Sequence, residues 1–315
     1  MRPLLHLTHP GATGYNAPMR TISAVLAVLL VLAVIVELSF GTWFSKDPLD
    51  QSDLGRNSAV TVAAAALYPG GQDFTYRRDA WGFRGIGRDP ASITILTVGG
   101  GTTDQHYLPD DQTWQSVMER DFRAAGVDAV VANAGIDGEA TLGHVRAFED
   151  WFSHVPGLKP RFVLFSVGLD ESTNVVRDES SVVRRHSALL RMVERLSEPK
   201  PVEAQPVEPS EGRPNRASIA GYKERLTRLA QLAHAMGAVP VFVVQGVWAD
   251  ELTARRLADF NHATRDVCKE AGLLCLDMAR EVTFEAGDFY DHLHNSPQGA
   301  EKVGRWLAGK LAGLV

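Results

Sequence analysis

The sequence predicts a three-layer α/β fold on a five-stranded parallel sheet, preceded by one membrane-spanning helix. Three observations predict it. Short apolar runs alternate with amphipathic stretches from residue 92 onward; one long apolar segment lies near the N-terminus; the remaining composition is that of a soluble globular chain.

The first element is the apolar segment. Residues 22–36 are apolar except Ser23, and the stretch continues through Leu38, Phe40, Trp43 and Phe44, with Glu37 as its only charge. Residues 22–44 in a helix rising ~1.5 Å per residue cover ~34 Å, enough for a hydrocarbon core of ~30 Å. Trp43 and Phe44 suit the aromatic belt at the bilayer surface. The rival reading is a cleaved signal peptide. Its polar lead would be long, and its best small-x-small site is the poor Ser39-Phe40-Gly41. A retained signal anchor is therefore the expectation, with residues 1–21 as a tail. Arg2 and Arg20 on one side against Lys46 and Arg56 on the other lean towards a cytoplasmic N-terminus. That places the large domain in the periplasm or outside, anchored in the inner membrane. Cys268 and Cys275 then leave two readings open, a disulfide and two buried thiols.

Residues 45–91 read as a juxtamembrane linker and lead-in, with a short Ala-rich helix over 59–67. From 92 to 315 the rhythm sets in. Apolar runs at 92–98, 129–132, 162–167, 239–244 and 273–276 predict strands buried on both faces. Between and after them, 113–125, 142–152, 181–196, 217–236, 254–271 and 296–314 carry apolar residues at helical spacing, as in Leu226, Leu229, Leu232 and Ala233. Residues 197–216 interrupt the pattern with five prolines and four glutamates. With almost no large apolar side chain, they read as an exposed insertion, either a tolerated loop or a docking segment for a partner.

Composition excludes several functions. The chain of 315 residues carries 32 Lys and Arg against 38 Asp and Glu, a formal charge of −6, which argues against nucleic-acid binding. Two cysteines make neither a disulfide scaffold nor a structural zinc site. Asp288, Asp291, His292 and His294 lack a further Cys or His nearby, so no metal site is assigned. The glycines at 99–101 are followed by neither Gly-Lys-Ser/Thr nor GxGxxG, so no nucleotide cofactor is expected.

In open parallel sheets ligands bind beyond the carboxyl ends of the strands. Those junctions read Gly99-Gly100-Gly101-Thr102-Thr103, Asn133-Ala134-Gly135, Gly168-Leu169-Asp170-Glu171 and, near the C-terminus, Asp291-x-x-His294 with Gly299. Gln245 and Trp248 follow the fourth strand at the same edge. Glu171 reads as a solvated helix-start carboxylate, and Trp81, Phe83 and Arg84 as a cluster packed under the sheet.

In this order, together with Trp81-Gly82-Phe83-Arg84-Gly85 and Thr113-Trp114, the junctions resemble the SGNH/GDSL hydrolases from about residue 76 to 314. The resemblance implies a flavodoxin-like fold. It implies an oxyanion hole at Gly100, Gly135 and Asp170, a His294 base with its Asp291 partner, and a nucleophile at position 101. Two departures matter. Gly101 stands where the family has serine and offers no nucleophile. Asp170 stands where it has asparagine, and an ionised carboxylate only accepts hydrogen bonds.

The expected function is a membrane-anchored, non-hydrolytic relative that binds an ester or glycan ligand or serves as a subunit of a membrane complex. The alternative is an active esterase or carbohydrate O-acyl hydrolase/transferase. It would use Thr102 or Thr103 as nucleophile, or water activated by His294 and Asp291, with Asp170 donating a hydrogen bond if protonated.

Overall fold

The computed structural model describes residues 16–51, 54–173, 187–197, 216–248 and 251–315. The tail before residue 16, the first part of the helix expected over 181–196, and the Pro/Glu-rich stretch 198–215 lie outside the described residues. The chain forms two compact units, one of residues 1–46 and 180–198, the other of 47–179 and 199–315.

The first unit holds helix α1 (Asn16–Phe40). Residues Thr21–Phe40 have a mean hydropathy of 2.7 and expose their apolar side chains. Twenty residues span about 30 Å, so length and composition suffice to cross a bilayer. The helix ends four residues before the expected 44. Beyond it the chain folds back, and the Trp43 indole donates to Glu37 Oε2 at 2.9 Å. Within the same unit lies a later ten-residue helix, Ala188–Ser197.

The larger unit opens with a β-hairpin, β1 (Ser58–Val62) antiparallel to β2 (Phe74–Arg78). A short helix was expected over 59–67. The β-branched Val60, Thr61 and Val62 favour extended pairing instead, and the alanines form the turn after the strand. Residues 47–91 are part of this unit and bury Leu49, Ala64, Tyr68, Tyr76 and Phe83, where a linker was expected.

The main sheet has strands β3 (Ile93–Gly99), β4 (Val130–Asn133), β5 (Phe162–Ser166), β6 (Val239–Val243) and β7 (Leu274–Leu276), all parallel. Their order is β4-β3-β5-β6-β7. This is flavodoxin-like order, with the topological switch between β3 and β5. Period-two alternation divides the core. Leu96, Val98, Phe165 and Phe242 face one layer; Ile95, Leu164 and Val241 face the other. Helices α2 (Gly101–Asp104), α3 (Trp114–Ala124), α4 (Thr141–Asp150) and α5 (Leu169–Thr173) precede the Ala188–Ser197 helix, α6. After it come α7 (Arg216–Ala235), α8 (Glu251–Ala271), α9 (Met278–Glu281) and α10 (Pro297–Leu311). Phe148 of α4, Tyr222 and Leu226 of α7 and Phe260 of α8 cover the first face. Met118 and Phe122 of α3 and Val303 and Leu307 of α10 cover the second.

Cys268 at the end of α8 and Cys275 in β7 form a disulfide, with Cα atoms 6.0 Å apart. The bond closes a short loop, for which the chain-entropy account gives about 2.5 kcal/mol. The Cys268→Ala/Cys275→Ala chain should therefore show a lower urea midpoint, and reducing agent should destabilise the parent but not the variant. Equal midpoints for parent and variant would mean the bond adds nothing.

Candidate functional site

Strand β3 delivers its chain into a turn built from glycine. A Cβ on Gly99 would lie 2.2 Å from Thr103 Oγ1 and 2.4 Å from the Ser166 carbonyl oxygen, so the turn folds directly back over the end of the sheet. Gly100 then caps α2, its carbonyl accepting from the Thr103 and Asp104 amides. From the β4 side Gly135 approaches so closely that a Cβ would lie 2.2 Å from the Asp104 amide nitrogen. These approaches require residues without side chains.

The hairpin and the segment after it fix this turn from outside. Arg78 Nη2 donates to Asp104 Oδ1 at 2.8 Å and to the Gly135 carbonyl at 2.7 Å, and Tyr76 donates to the same carboxylate oxygen at 2.8 Å. Arg84 is buried and donates to the carbonyls of Asp104, Gln105 and Leu108. Trp81 and Phe83 pack as expected: Phe83 lies 5.3 Å from the Trp151 ring, and the Trp81 carbonyl accepts from that indole. Thr113 accepts from the Ser116 amide as the N-cap of α3, worth about 1 kcal/mol, while the Trp114 indole donates to the Thr102 carbonyl at 3.0 Å.

The C-terminal junction supplies His294 and Asp291. His294 Nδ1 lies 2.8 Å from Asp291 Oδ2, and Asp291 Oδ1 accepts from the amides of Leu293 and His294. Gly299 lets α10 close onto this loop, since a Cβ there would lie 2.0 Å from the Asp288 carbonyl oxygen. Asp288 itself turns away, accepting from Lys302 and Gln298. Among the described residues no group of three or more His, Cys, Asp or Glu is placed to hold a metal ion.

His294 Nε2 points at Gly101: a Cβ built on Gly101 would lie 2.8 Å from it. The same point is 2.4 Å from Asp137 Oδ1. Asp137, which the sequence analysis passed over, thus holds a carboxylate where a side chain at position 101 would stand. The only signal for it was its position two residues beyond Gly135. Asp170 is closer still to Gly100, where a Cβ would lie 1.9 Å from Asp170 Oδ2. The Gly135 amide donates to Asn133 Oδ1 at 2.9 Å.

The other expected residues disperse. Thr102 Oγ1 accepts from Gln245 Nε2 at 3.2 Å, and Gln245 also bonds Ser166 Oγ and the Leu169 amide. Thr103 is buried under Gly99. Trp248 is exposed. Glu171 is not solvated as expected: its Oε1 accepts from Thr141 at the start of α4 and its Oε2 is enclosed. A helix-start carboxylate this close to a second helix N-terminus bonds the free amide there rather than water. An aromatic wall completes the site. Tyr290 stacks on His294 at 5.7 Å with planes 8° apart, and Tyr107 and Tyr68 lie 5.9 and 6.1 Å from Tyr290.

Burial pulls the His294 pKa down, but the Asp291 hydrogen bond and charge, with Asp137 and Asp170, outweigh it and raise it above the usual value. Burial raises the Asp291 carboxyl, and the hydrogen bonds and charge of His294 outweigh it and hold it low. Burial, then the charges of Glu171 and Asp137, push Asp170 well above the carboxylate range. The shift favours the neutral form of Asp170, the form able to donate a hydrogen bond.

A carboxyl whose pKa rises on folding costs stability as pH climbs from its unfolded value, near 4, towards its folded one. The Asp170→Asn chain should be more stable than the parent at pH 7. The gain should shrink on going to pH 4, as followed by thermal melts across that window. A pH-independent difference would contradict the shift.

The GDSL-like lipase/acylhydrolase family model matches residues 92–302. Comparison with curated proteins gave no match. Among solved structures, a lipase/acylhydrolase from Enterococcus faecalis is 17% identical, with 70% of this chain and 96% of that one covered at a TM-score of 0.48. The structure of TesA gives 16% identity, coverage of 69% and 98%, and a TM-score of 0.48. A G-D-S-L family lipolytic protein from Desulfitobacterium hafniense DCB-2 gives 13%, 68% and 97%, and 0.47. With its family model spanning the whole main sheet, the chain belongs to the GDSL-like lipase/acylhydrolase family.

Proposed function

We propose that this chain is a membrane-anchored, non-hydrolytic member of that family, whose extracytoplasmic domain binds an ester or glycan ligand, alone or as a subunit of a membrane complex. The observation that carries the reading is the pairing of Gly101 with Asp137. Where His294 Nε2 would meet a nucleophilic hydroxyl there is a glycine, and an acidic side chain fills the space. Acyl transfer needs an activated oxygen or sulfur beside the base. A carboxylate there repels the negative charge that develops on the substrate. Of the oxyanion positions, the Gly135 amide is already taken by Asn133 Oδ1.

The rest of the site suits recognition. Tyr107 and Tyr290 are half-buried rings beside several hydrogen-bonding groups, the composition of a small-ligand site. Placement outside the cytoplasm is supported by the Cys268–Cys275 bond, since such bonds persist in oxidising compartments. Retention of the anchor is supported by Glu37, whose carboxylate accepts from Ser187 and from the amides of Ala188 and Leu189. A cleaved signal peptide would not supply contacts to a helix about 150 residues downstream.

One observation favours hydrolysis: the His294–Asp291 pair is intact, as direct activation of water would require. Thr102 is turned to Gln245 and Thr103 is buried, so water is the nucleophile this route would use.

Two measurements test the proposal. The purified full chain should hydrolyse a small acetyl ester no faster than its His294→Ala variant; a tenfold or larger loss in that variant would establish an enzyme. Gly101→Ser alone should stay poor, because the new Cβ meets Asp137. Gly101→Ser/Asp137→Ser/Asp170→Asn should gain His294-dependent turnover by roughly 10²-fold, the scale of one oxyanion donor. For the binding half, calorimetry with an O-acetylated oligosaccharide should show an association that Tyr290→Ala weakens at least fivefold. No heat with any acetylated glycan would turn the search to protein partners.

A further inference from the structure

The Ala188–Ser197 helix, α6, stands out from the other helices. Its sequence, ALLRMVERLS, puts Leu189, Met192 and Val193 at helical spacing. The large apolar side chains it exposes are Leu190 at 38%, Met192 at 50% and Val193 at 54%. In a soluble domain such a face is ordinarily turned inward.

Its start is tied to α1. Glu37 Oε1 accepts from the Leu189 amide at 3.0 Å, Glu37 Oε2 accepts from the Ala188 amide at 3.1 Å, and the Ser187 hydroxyl donates to Oε1. One carboxylate thereby satisfies two of the amides that every helix N-terminus leaves open, and its charge sits at the favourable end of the helix dipole. The Trp43 indole donates to the same group. The joint therefore fixes where α6 begins along α1. Glu37 is sixteen residues beyond Thr21, about 24 Å along the helix. It lies near the end of the apolar span, where an acid and a tryptophan belong at the edge of the hydrocarbon.

We propose that α6 is an interfacial helix: it lies on the outer surface of the same bilayer that α1 crosses, with Leu190, Met192 and Val193 in the acyl-chain boundary and Glu37 as its hinge. The occupant of the exposed face is phospholipid. The apolar surface of α1 and the apolar side chains of α6 meet at one level, and an amphipathic helix held there buries its face in the headgroup boundary. The inference rests on the anchor reading. It adds that the segment between β5 and β6 carries a second membrane contact.

The test uses the full chain reconstituted in phosphatidylcholine–phosphatidylglycerol vesicles. Met192→Cys is labelled with an environment-sensitive fluorophore, and Leu142→Cys, on α4 of the larger unit, serves as the aqueous control. The label at 192 should be quenched by nitroxide-bearing lipids and shielded from iodide at least threefold relative to the label at 142. Adding Glu37→Ala should return iodide access at 192 towards the control. Extraction with alkaline carbonate is run on the same vesicles. If the chain resists extraction and the label at 192 is as open to iodide as that at 142, the interfacial helix is refuted and the anchor stands. If the chain is extracted, the anchor reading falls and the inference falls with it.

Discussion

The candidate site depends on a buried cationic clamp. Arg78 and Arg84 reach from the hairpin and its following segment into the turn after β3, and between them hold the Asp104 carboxylate, the Gly135 carbonyl and three carbonyls from 104 to 108. These carbonyls belong to a sharp turn that no regular element would satisfy, and each would cost free energy if left buried and unpaired. Breaking a buried pair such as Arg78–Asp104 by removing one partner costs about 3–5 kcal/mol, because the survivor stays enclosed without a counter-charge. The position of Gly101 against His294 is thus set by residues far from either in sequence.

This rigidity bears on how the surviving His294–Asp291 pair is read. A retained dyad invites a catalytic interpretation, yet Asp291 also organises its own loop, with one oxygen accepting two backbone amides and the other orienting the imidazole. Removing it would free two amides and tilt the ring that Tyr290 stacks upon. The pair has a structural reason to persist whether or not a nucleophile faces it. Gly101 leaves room for the Asp137 carboxylate, while Asp170 has no comparable structural gain over asparagine. A glycine near the start of α2 weakens helix formation, and a buried acid costs stability at neutral pH. Their presence fits a site no longer held to acyl transfer.

What the sequence revealed divides along physical lines. The five strands were legible because a parallel strand buried on both faces must be a continuous apolar run, as in 162–166 and 239–243. The glycine junctions and the Asp291–His294 loop were picked out by their order along the chain, which resembles the family's, because each taken alone reads as an ordinary turn. Asp137 was not, since nothing in a lone acid after a strand says it will lean towards position 101. The clamp was hidden for the same reason. Arg78, Arg84 and Asp104 form long-range contacts without periodicity, and the polar residues 45–57 make the lead-in look like a linker until the hairpin after them pairs. Glu171 looked solvated because its partner, Thr141, lies thirty residues away at another helix start.

Glu37 shows how a residue that counts against an element can be what positions it. A carboxylate inside an apolar helix is costly in hydrocarbon, more so when unpaired. Here its oxygens are occupied by a hydroxyl, two backbone amides and an indole, all from residues at one level of α1. The amides would otherwise need water at the start of α6, and the carboxylate would otherwise need water at the end of α1. Joining the two shortages removes both. It makes the charge a fixed marker rather than a defect: α1 cannot slide deeper into a bilayer without carrying the α6 N-terminus in with it. For a domain proposed to bind ligands near a membrane, such a stop sets the height at which α6 begins.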